Sequence, residues 1–447
     1  MVTRSNEQKK LEKIFSENSN QLVLVYGARG CLKEDFVDNF CKGKNAFFYK
    51  CRNVSPEKQL QAFAHDIKNN LKAKSSIDSY DDCFKTISGI ITGKKILVID
   101  DFEYIVKKDD SFIKTLTKYK NQMFIILCSS SLSWINNDLD DLFSGEKDVI
   151  DARLKLDEVG FLDVVRAFPK YSVEESVTVY GILGGVPSYL NRWNQSKSFK
   201  QNVCDNILDV NGFLFNEANE FLGSELRELT VYNTILSSIA EGNEKLNDLY
   251  NDTGYSRAKI SVYIKNLAAF DVVEKVVSFE TGGWDNAKKG IYRISNNYIN
   301  FYFHFIYPHL SELYFMSSEM FYDLYIKDNL ASYLQRYFVN VCKEYLELLN
   351  KVGQCTINVK KIGTWLGKSG TIDIVAQDNV RNNVVGMCNW KAKELTINDY
   401  EKLVESMKKA RINAKTTYLF SATAFDKKLV DLSKEDKSIV LVDMKEL

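Results

Sequence analysis

The sequence predicts an α/β protein that opens with a parallel-sheet domain. Three apolar runs, at 21–26, 94–104 and 122–131, end in polar turns and alternate with segments of helical periodicity. Such runs are typical of a parallel sheet that is covered by helices on both faces. The first run leads through a glycine-containing turn, GARGCLKED, into a helical pattern, which gives the order strand, loop, helix.

Length and composition limit the function classes. The chain has 447 residues, enough for two to four domains. Lys plus Arg and Asp plus Glu both number 59, so binding to nucleic acid or to a membrane surface would need a local patch. The nine scattered cysteines form no C-x-x-C pair, the N-terminus lacks a signal-peptide core, and no apolar run reaches bilayer length. We therefore expect a cytoplasmic protein without a membrane segment.

The patterning along the chain predicts five regions. The first two are the parallel-sheet domain and a helical lid, which is interrupted by the turn-rich GILGGVPSYL. A helix-turn-helix followed by two strands, with a wing at 282–290, predicts a winged helix. An aromatic-rich stretch predicts buried bridging helices, and a second α/β domain follows with strands at 356–363, 371–378, 384–390, 416–422 and 438–443. The predicted ranges are 1–150, 151–241, 242–297, 298–329 and 330–447.

A phosphate-binding loop of the form G-x-x-x-x-G-K-[ST] needs backbone amides, a lysine and a hydroxyl around the phosphates. Gly27 and Lys33 stand in register with this pattern, and Gly30 lies between them. Leu32 replaces the second glycine and Glu34 replaces the hydroxyl residue. Both replacements are expected to weaken the binding of a triphosphate, because one adds a Cβ and the other a carboxylate.

Acidic and hydroxyl residues follow the next two apolar runs. Asp100 ends the second run, where P-loop proteins hold magnesium through an acid. Asp101, or less directly Glu103, is the candidate that orients the attacking water. Ser129 or Ser130, at the end of the third run, is positioned to sense the γ-phosphate. The predicted cofactors are ATP or ADP and Mg²⁺.

Nine segments together carry a family resemblance. YGARGCLKE, LVIDDFEY, LCSSSLS, GGVPSYL, ELRELTVYNTILSSIAEG, YSRAKISVYIKNLAAFDVVEK, YRISNNYINFYFHFIYP, IGTWLGKSGTIDIVA and GMCNW occur in this order. The chain resembles, over nearly its whole length, a family of archaeal and bacterial predicted ATPases that join an AAA-type ATPase, a winged helix and a restriction-endonuclease-like domain.

The resemblance implies ATP and magnesium binding. It also implies that Pro187, in the turn Gly185-Val186-Pro187, resembles the nucleotide-sensing turn of STAND switches. Family members usually have an intact phosphate loop, so Leu32 and Glu34 predict weak or absent hydrolysis.

The C-terminal domain matches a PD-(D/E)xK nuclease pattern at one position. Asp373 is retained, whereas Met387 stands at the second carboxylate and Asn389 at the lysine. One carboxylate does not hold the magnesium ions that this chemistry needs. Lys391 or Glu394 could substitute from neighbouring positions, but strand alternation disfavours this. We expect a vestigial, inactive nuclease fold.

Basic residues offer candidate contacts with other molecules. Arg257, Lys259 and Lys265 lie on or near the second helix of the predicted winged helix, and could meet DNA or form a solvated face. Arg153 and Arg166 are candidates for the arginine that AAA-type subunits lend to a neighbour in a homo-oligomer, or are plain surface residues.

Three hypotheses remain open from the sequence. The first is a nucleotide-dependent switch with weak or absent ATP hydrolysis. The second is a non-catalytic scaffold, a pseudo-ATPase and pseudo-nuclease that binds DNA or a protein partner. The third and least favoured is an active nuclease. Nucleotide-dependent stabilisation of the protein would separate the first from the second.

Overall fold

The computed structural model describes residues 4–18, 20–109, 111–143, 149–279, 290–368 and 370–447. The chain divides into two compact units. The first unit comprises Met1–Glu158, Val186–Ser188 and Phe221–Arg227, and the second comprises Val159–Gly185, Tyr189–Glu220 and Glu228–Leu447. The five-region division predicted from the sequence stays a prediction.

A five-stranded parallel sheet forms the centre of the first unit. Its strands are β1 Leu22–Tyr26, β2 Asn45–Lys50, β3 Lys95–Asp100, β4 Phe124–Ser129 and β5 Ala152–Lys155. They are ordered β2-β3-β4-β1-β5, and all neighbours are parallel. The expectation that residues after 151 are helical is wrong at its start, because Ala152–Lys155 pairs with β1 at the edge of this sheet.

Helices cover both faces of this sheet. They are α1 Ser5–Glu17, α2 Lys33–Cys41, α3 Pro56–Leu71, α4 Tyr80–Ile90, α5 Glu103–Val106, α6 Ser111–Tyr119, α7 Leu132–Asn137 and α8 Leu139–Leu142. Successive side chains of a strand point to opposite faces, so Leu22 and Leu24 enter one apolar core while Val23 and Val25 enter the other. This burial on both faces explains the continuous apolar runs.

The second unit begins with short helices. They are α9 Phe161–Ala167, α10 Val173–Leu183, α11 Pro187–Leu190, α12 Phe199–Val203, a π-helical segment Cys204–Leu208, and α13 Glu217–Glu225; parts of α11 and α13 group with the first unit. Ser172 caps α10 through a reciprocal capping box with Glu175, which explains where this helix begins.

Two helices and an antiparallel strand pair follow in the order that the sequence predicted, and a further helix from the predicted lid range precedes them. These elements are α14 Leu229–Ala240, α15 Leu246–Thr253, α16 Arg257–Ala268, β6 Val273–Val276 and β7 Ile291–Ile294. Gly254, at φ +69°, ends α15, and the Ser256 side chain caps α16. The predicted wing at 282–290 lies, apart from Gly290, outside the described residues, and the winged-helix assignment stays a prediction.

The aromatic-rich stretch is only partly buried. Its elements are α17 Asn297–Phe301, a π-helical segment Tyr302–Ile306, a 3₁₀ turn Tyr307–His309, α18 Leu310–Phe315, α19 Ser318–Phe321 and a second π-helical segment Tyr322–Ile326. Tyr298, Phe301 and Phe303 are buried, as expected. The expectation is wrong for Tyr314 and Phe315, which are 64% and 90% exposed.

A mixed five-stranded sheet completes the second unit. Its elements are α20 Leu330–Lys351, β8 Lys361–Gly367, β9 Gly370–Gln377, β10 Asn383–Asn389, α21 Ile397–Ala410, β11 Ala414–Ser421, α22 Lys427–Glu435, β12 Ile439–Asp443 and a 3₁₀ turn Met444–Glu446. The order is β12-β11-β10-β9-β8, parallel from β12 to β10 and antiparallel from β10 to β8. The strand predicted at 356–363 is misplaced, because pairing begins at Lys361.

The predicted fold class is confirmed, since a parallel-sheet α/β unit is followed by a separate C-terminal sheet. Within the described ranges, no helix is both long enough and apolar enough to cross a membrane.

Candidate functional site

The loop between β1 and α2 has the backbone shape of a phosphate loop. Gly30 has φ +86° and Leu32 has φ +57°, both in the left-handed region. A Cβ on Gly27 would lie 2.6 Å from the Leu156 carbonyl oxygen, so this position has no room for a side chain. The Gly27 N–H donates to the Ser129 carbonyl at 3.3 Å, which fixes the start of the loop against the end of β4. The glycine geometry therefore persists at Leu32 without a glycine.

A cavity of about 470 Å³ lies at this loop, within the first unit. It is lined by residues 28–35 and by Lys50, Asp101, Glu103, Tyr104, Lys107, Ser130, Ser131, Ser224 and Glu225. The Leu32 side chain borders this space and leaves it open. Because the loop and the start of α2 share the cavity wall, backbone amides and a lysine face the same space.

Lys33 is the first residue of α2 and is almost completely buried. Its Nζ donates to Asp100 Oδ1 and lies 3.5 Å from Asp101 Oδ1. Burial acts to lower the pKa of Lys33, but its neighbours, Cys128 and then Asp100 and Asp101, raise that pKa above its ordinary value. The ammonium group is therefore charged and held by acids at the end of β3.

Lys50 is the second cation beside these acids. Its Nζ donates to Glu34 Oε1 and lies 3.4 Å from Asp100 Oδ2 and 3.8 Å from Asp101 Oδ2. The hydrogen bond to Glu34 is the main cause that raises the pKa of Lys50. Two ammonium groups thus face three carboxylates at the carboxyl ends of β2 and β3.

Glu103 is a buried acid at the cavity wall. Burial raises its pKa to about 7, although a hydrogen bond from Ser129 acts to lower it. Its Oε2 atom has no hydrogen-bond partner among the described residues. Glu103 therefore titrates close to neutral pH.

Glu225 occupies the hydrogen-bond donors that follow β4. Its carboxylate accepts from the Leu132 N–H at 2.8 Å, the Ser133 N–H at 3.3 Å and the Ser131 hydroxyl at 3.1 Å, and also from the Ser133 hydroxyl. The residue belongs to the segment Phe221–Arg227, which groups with the first unit. An internal carboxylate thus holds the Ser131 hydroxyl, which borders the cavity, together with donors of the next two residues.

The residues around Asp100 do not fit Mg²⁺ in this arrangement. P-loop proteins hold this ion with a hydroxyl from the loop and an acid at a strand end. Here the hydroxyl is replaced by Glu34, whose carboxylate is bonded to Lys50, and Asp100 has one ammonium group at each oxygen. Across the described part of the chain, no group of three His, Cys, Asp or Glu side chains is arranged to hold a metal ion.

The structure brings most of the predicted nucleotide residues together. Gly30, Lys33, Asp101 and Glu103 line the cavity directly. The others stand behind its wall: Gly27 at the start of the loop, Asp100 behind Lys33, Ser129 beside Glu103, and Pro187 next to Ser188, whose N–H donates to the Gly30 carbonyl at 3.1 Å. Their predicted roles in binding and catalysis stay predictions.

Sequence reasoning missed two charged residues of this site. Lys50 ends β2, an edge strand whose aromatic-rich run in NAFFYK is a usable strand signal. Glu225 had no signal in the sequence, because only the folded chain brings it to the loop after β4.

The other predicted basic residues make local contacts. Arg257, Lys259 and Lys265 are exposed on α16, with the Arg257 guanidinium 4.1 Å from the Tyr250 ring centre and Lys259 Nζ 4.2 Å from that of Tyr255.

Arg153 and Arg166 pair with aspartates, namely Asp140 and, at 2.9 Å, Asp163. This pairing is what plain surface arginines show.

The predicted nuclease remnant contains a single carboxylate. Asp373 Oδ2 accepts from the Cys388 N–H at 2.9 Å, and burial raises the pKa of Asp373. The Asn389 amide donates to the Ala392 carbonyl and to the hydroxyls of Ser421 and Thr423. Lys391 and Glu394 are exposed. The nuclease assignment stays a prediction.

Known proteins are similar to the chain in its P-loop ATPase fold and in its residues 302–410. The Walker-type ATPase of Pyrococcus abyssi is 15% identical, with a TM-score of 0.50 over 68% of this chain and 96% of that one. This likeness shows the P-loop ATPase fold. Residues 302–410 match the family described as archaeal bacterial proteins of unknown function. The chain is therefore similar to this family over residues 302–410 and has the fold of a P-loop ATPase in its first unit.

Two further relatives span nearly the whole of their own chains. An uncharacterized protein of Methanocaldococcus jannaschii is 27% identical over 458 aligned positions, which cover 100% of this chain and 99% of that protein. The Aeropyrum pernix ORC2 protein, solved in complexes with ADPNP and ADP, is 11% identical over 70% of this chain and 94% of its own, with a TM-score of 0.45. The match at 302–410 and the P-loop ATPase fold agree with the family resemblance that the sequence motifs carry.

Proposed function

We propose that this protein is a nucleotide-dependent switch that binds ADP or ATP at the loop between β1 and α2. The observation that carries the proposal is the loop itself, which keeps its left-handed turns at Gly30 and Leu32 and ends in Lys33 at an open cavity. Amides at a helix N-terminus together with a lysine form an anion site. The cavity volume of about 470 Å³ is typical of small-molecule sites.

Internal carboxylates supply the switch in this proposal. Asp100 and Asp101 hold Lys33, and Glu225 holds the donors at 131–133. A phosphate group that enters the cavity competes with these carboxylates for the same donors, because both are anionic acceptors. Nucleotide binding would therefore release Glu225 and the segment 221–227.

Hydrolysis in this proposal is weak or absent. The Asp101 carboxylate lies between two lysines, which reduces its ability to orient a water molecule. Glu103 is the remaining candidate base, with a pKa near neutral and one unpartnered oxygen. The loop hydroxyl that assists the reaction in P-loop ATPases is absent, because Glu34 stands there.

Calorimetric titration of the full chain with ADP and with ATP tests nucleotide binding. We expect binding by the wild type and its loss, by at least about a hundredfold, in Lys33→Ala. Lys118→Ala is the matched control, because Lys118 is an exposed lysine paired with Asp81 outside the cavity. The double variant Lys33→Met with Asp100→Asn removes both buried charges, and so separates loss of binding from loss of folding. Equal binding by all four proteins would exclude this loop as the site.

The Glu225 competition has a separate test. Glu225→Gln removes the negative charge that holds the donors at 131–133, so ATP affinity should rise by about tenfold. Asp35→Asn is the control, because it removes a carboxylate that lines the same cavity. An equal rise in both variants would indicate a general charge effect and would contradict the switch.

A scaffold that binds DNA through α16 is the second candidate function. The exposed Arg257, Lys259 and Lys265 on the third helix of a three-helix unit favour it. Binding of duplex DNA would weaken with salt, and the triple change of these residues to alanine would lower the salt slope. Salt-insensitive or unchanged binding in the variant would count against α16.

A further inference from the structure

A lysine stands among the acids where a P-loop protein is expected to hold its metal. Lys50 is the last residue of β2, and the parallel register places it directly beside Asp100, the last residue of β3. Its Nζ contacts carboxylate oxygens of Glu34, Asp100 and Asp101. Each of these acids comes from a different part of the first unit: α2, the end of β3 and the residue that follows it.

We propose that Lys50 is a built-in cation that takes the place of Mg²⁺, so that this site binds ADP or ATP without a divalent metal. The proposal rests on the function proposed above and specifies its cofactor requirement. Glu34 has two effects in this proposal. It stands where a hydroxyl residue would bind the metal, and its carboxylate holds the lysine that replaces the metal.

The buried charge of Asp100 explains why a second cation is needed. Asp100 is 1% exposed, and its Oδ1 atom depends on the Lys33 ammonium. A phosphate that draws Lys33 toward the cavity would leave Asp100 without that partner, and an unpaired buried charge is strongly unfavourable. In a metal-dependent site Mg²⁺ fills this role, whereas here Lys50 Nζ lies 3.4 Å from Asp100 Oδ2.

Lys50 is also positioned to contact a phosphate group that enters the cavity. It is about half exposed and lines the cavity, so its ammonium group can meet a ligand without leaving the acids. A lysine binds phosphate as a point charge and needs no coordination geometry. Its raised pKa keeps it charged at neutral pH.

An ordinary surface ion pair between Lys50 and Glu34 is the competing explanation. Exposed pairs of this kind contribute little. It accounts for the contact with Glu34, but not for the approach of the same ammonium group to a fully buried acid. The two explanations differ in the metal dependence of nucleotide binding, which is measurable.

The test is calorimetric titration of the full chain with the sodium salts of ADP and ATP, in EDTA and in Mg²⁺. We expect the two wild-type dissociation constants to agree within about threefold, well under one factor of ten. In Lys50→Met, binding in EDTA should weaken by about tenfold to a hundredfold, and Mg²⁺ should restore part of it. Lys107→Met removes another lysine of the cavity and should show no difference between EDTA and Mg²⁺.

A second variant keeps the proposal open to refutation if Lys50→Met folds poorly. The double variant Lys50→Met with Glu34→Ser removes the ion pair and restores the loop hydroxyl, so its binding should become dependent on Mg²⁺. Wild-type binding that occurs only with Mg²⁺ would overturn the built-in cation and leave the proposed nucleotide site intact. Wild type that binds no nucleotide in either buffer would overturn both.

Discussion

Asp100 and Asp373 are both strand aspartates at positions where a sequence motif places a metal-holding acid, but their surroundings differ. Asp100 has an ammonium group at each carboxylate oxygen and stands behind a cavity. Asp373 accepts a backbone N–H, and Lys343, whose charge acts to lower the pKa of Asp373, donates to Thr364 at 3.0 Å. Two ammonium groups therefore surround the first aspartate, whereas the second accepts a hydrogen bond from its own sheet.

The largest expected effect is the loss of stability when Asp100 is replaced. Asp100→Asn removes the carboxylate that holds the buried Lys33, so the free energy of unfolding should fall by about 3 kcal/mol or more. Urea denaturation of the full chain measures it, with Asp101→Asn as the control because Asp101 is more exposed. A loss below that of Asp101→Asn would show that Asp100 is not the main partner of Lys33.

Glu103 should make the first unit sensitive to pH. Its pKa is about 7 in the folded protein and near 4.5 when unfolded, so the folded state binds the proton more tightly. The stability that it contributes is fully present below its ordinary pKa and is lost as the pH rises through about 7. At pH 8, Glu103→Gln should be more stable than wild type by about 3 kcal/mol, since one pKa unit is about 1.4 kcal/mol. Thermal melts should show that the stability difference between variant and wild type is smaller at pH 5 than at pH 8. An equal difference at both pH values would contradict the burial of this acid.

Gly27→Ala tests whether the loop between β1 and α2 requires a glycine at its first position. The added Cβ would lie 2.6 Å from the Leu156 carbonyl oxygen and 2.9 Å from Cys31 Sγ. Overpacking of this kind destabilises by about 1–3 kcal/mol. Gly89→Ala is the control, because its Cβ would meet no atom within 4 Å. Unfolding curves that coincide for the two variants would mean that the loop tolerates a side chain at Gly27.

The smallest effect is expected at Asp373. Asp373→Asn loses one hydrogen bond to a carboxylate, and the free energy of unfolding should fall by about 1 kcal/mol. Plasmid DNA incubated with Mg²⁺ or Mn²⁺ should stay intact with wild type and variant alike. Metal-dependent cleavage that the variant lacks would break the comparison and restore the nuclease hypothesis.

The sequence predicts the interior of the first sheet but not its edges. Strands β1, β3 and β4 are buried on both faces and read as continuous apolar runs. The edge strand β2 alternates exposed and buried residues, and β5 has only four residues, so neither forms such a run. In the second unit, the strand predicted at 356–363 fails because the Asn350 side chain bonds both backbone groups of Val359 and holds that segment as a loop.

The candidate site likewise contains residues that the sequence predicts and residues that it does not. Lys33 and Asp100 follow from the spacing of a motif along the chain, because strand ends and loops place them. Lys50 reaches the cavity through the pairing of β2 with β3, and Glu225 reaches it through the segment 221–227. No local sequence pattern encodes either placement. The exposed Tyr314 and Phe315 show the same limit, since aromatic content alone does not say which face of a helix is covered.

Leu32 carries one last consequence for protein engineering. A leucine with φ +57° pays a steric penalty of about 1 kcal/mol that a glycine would not. Replacing it with glycine would relax the backbone without remodelling the turn. A variant that carries glycine at both left-handed positions of the loop is therefore a single codon away from this sequence.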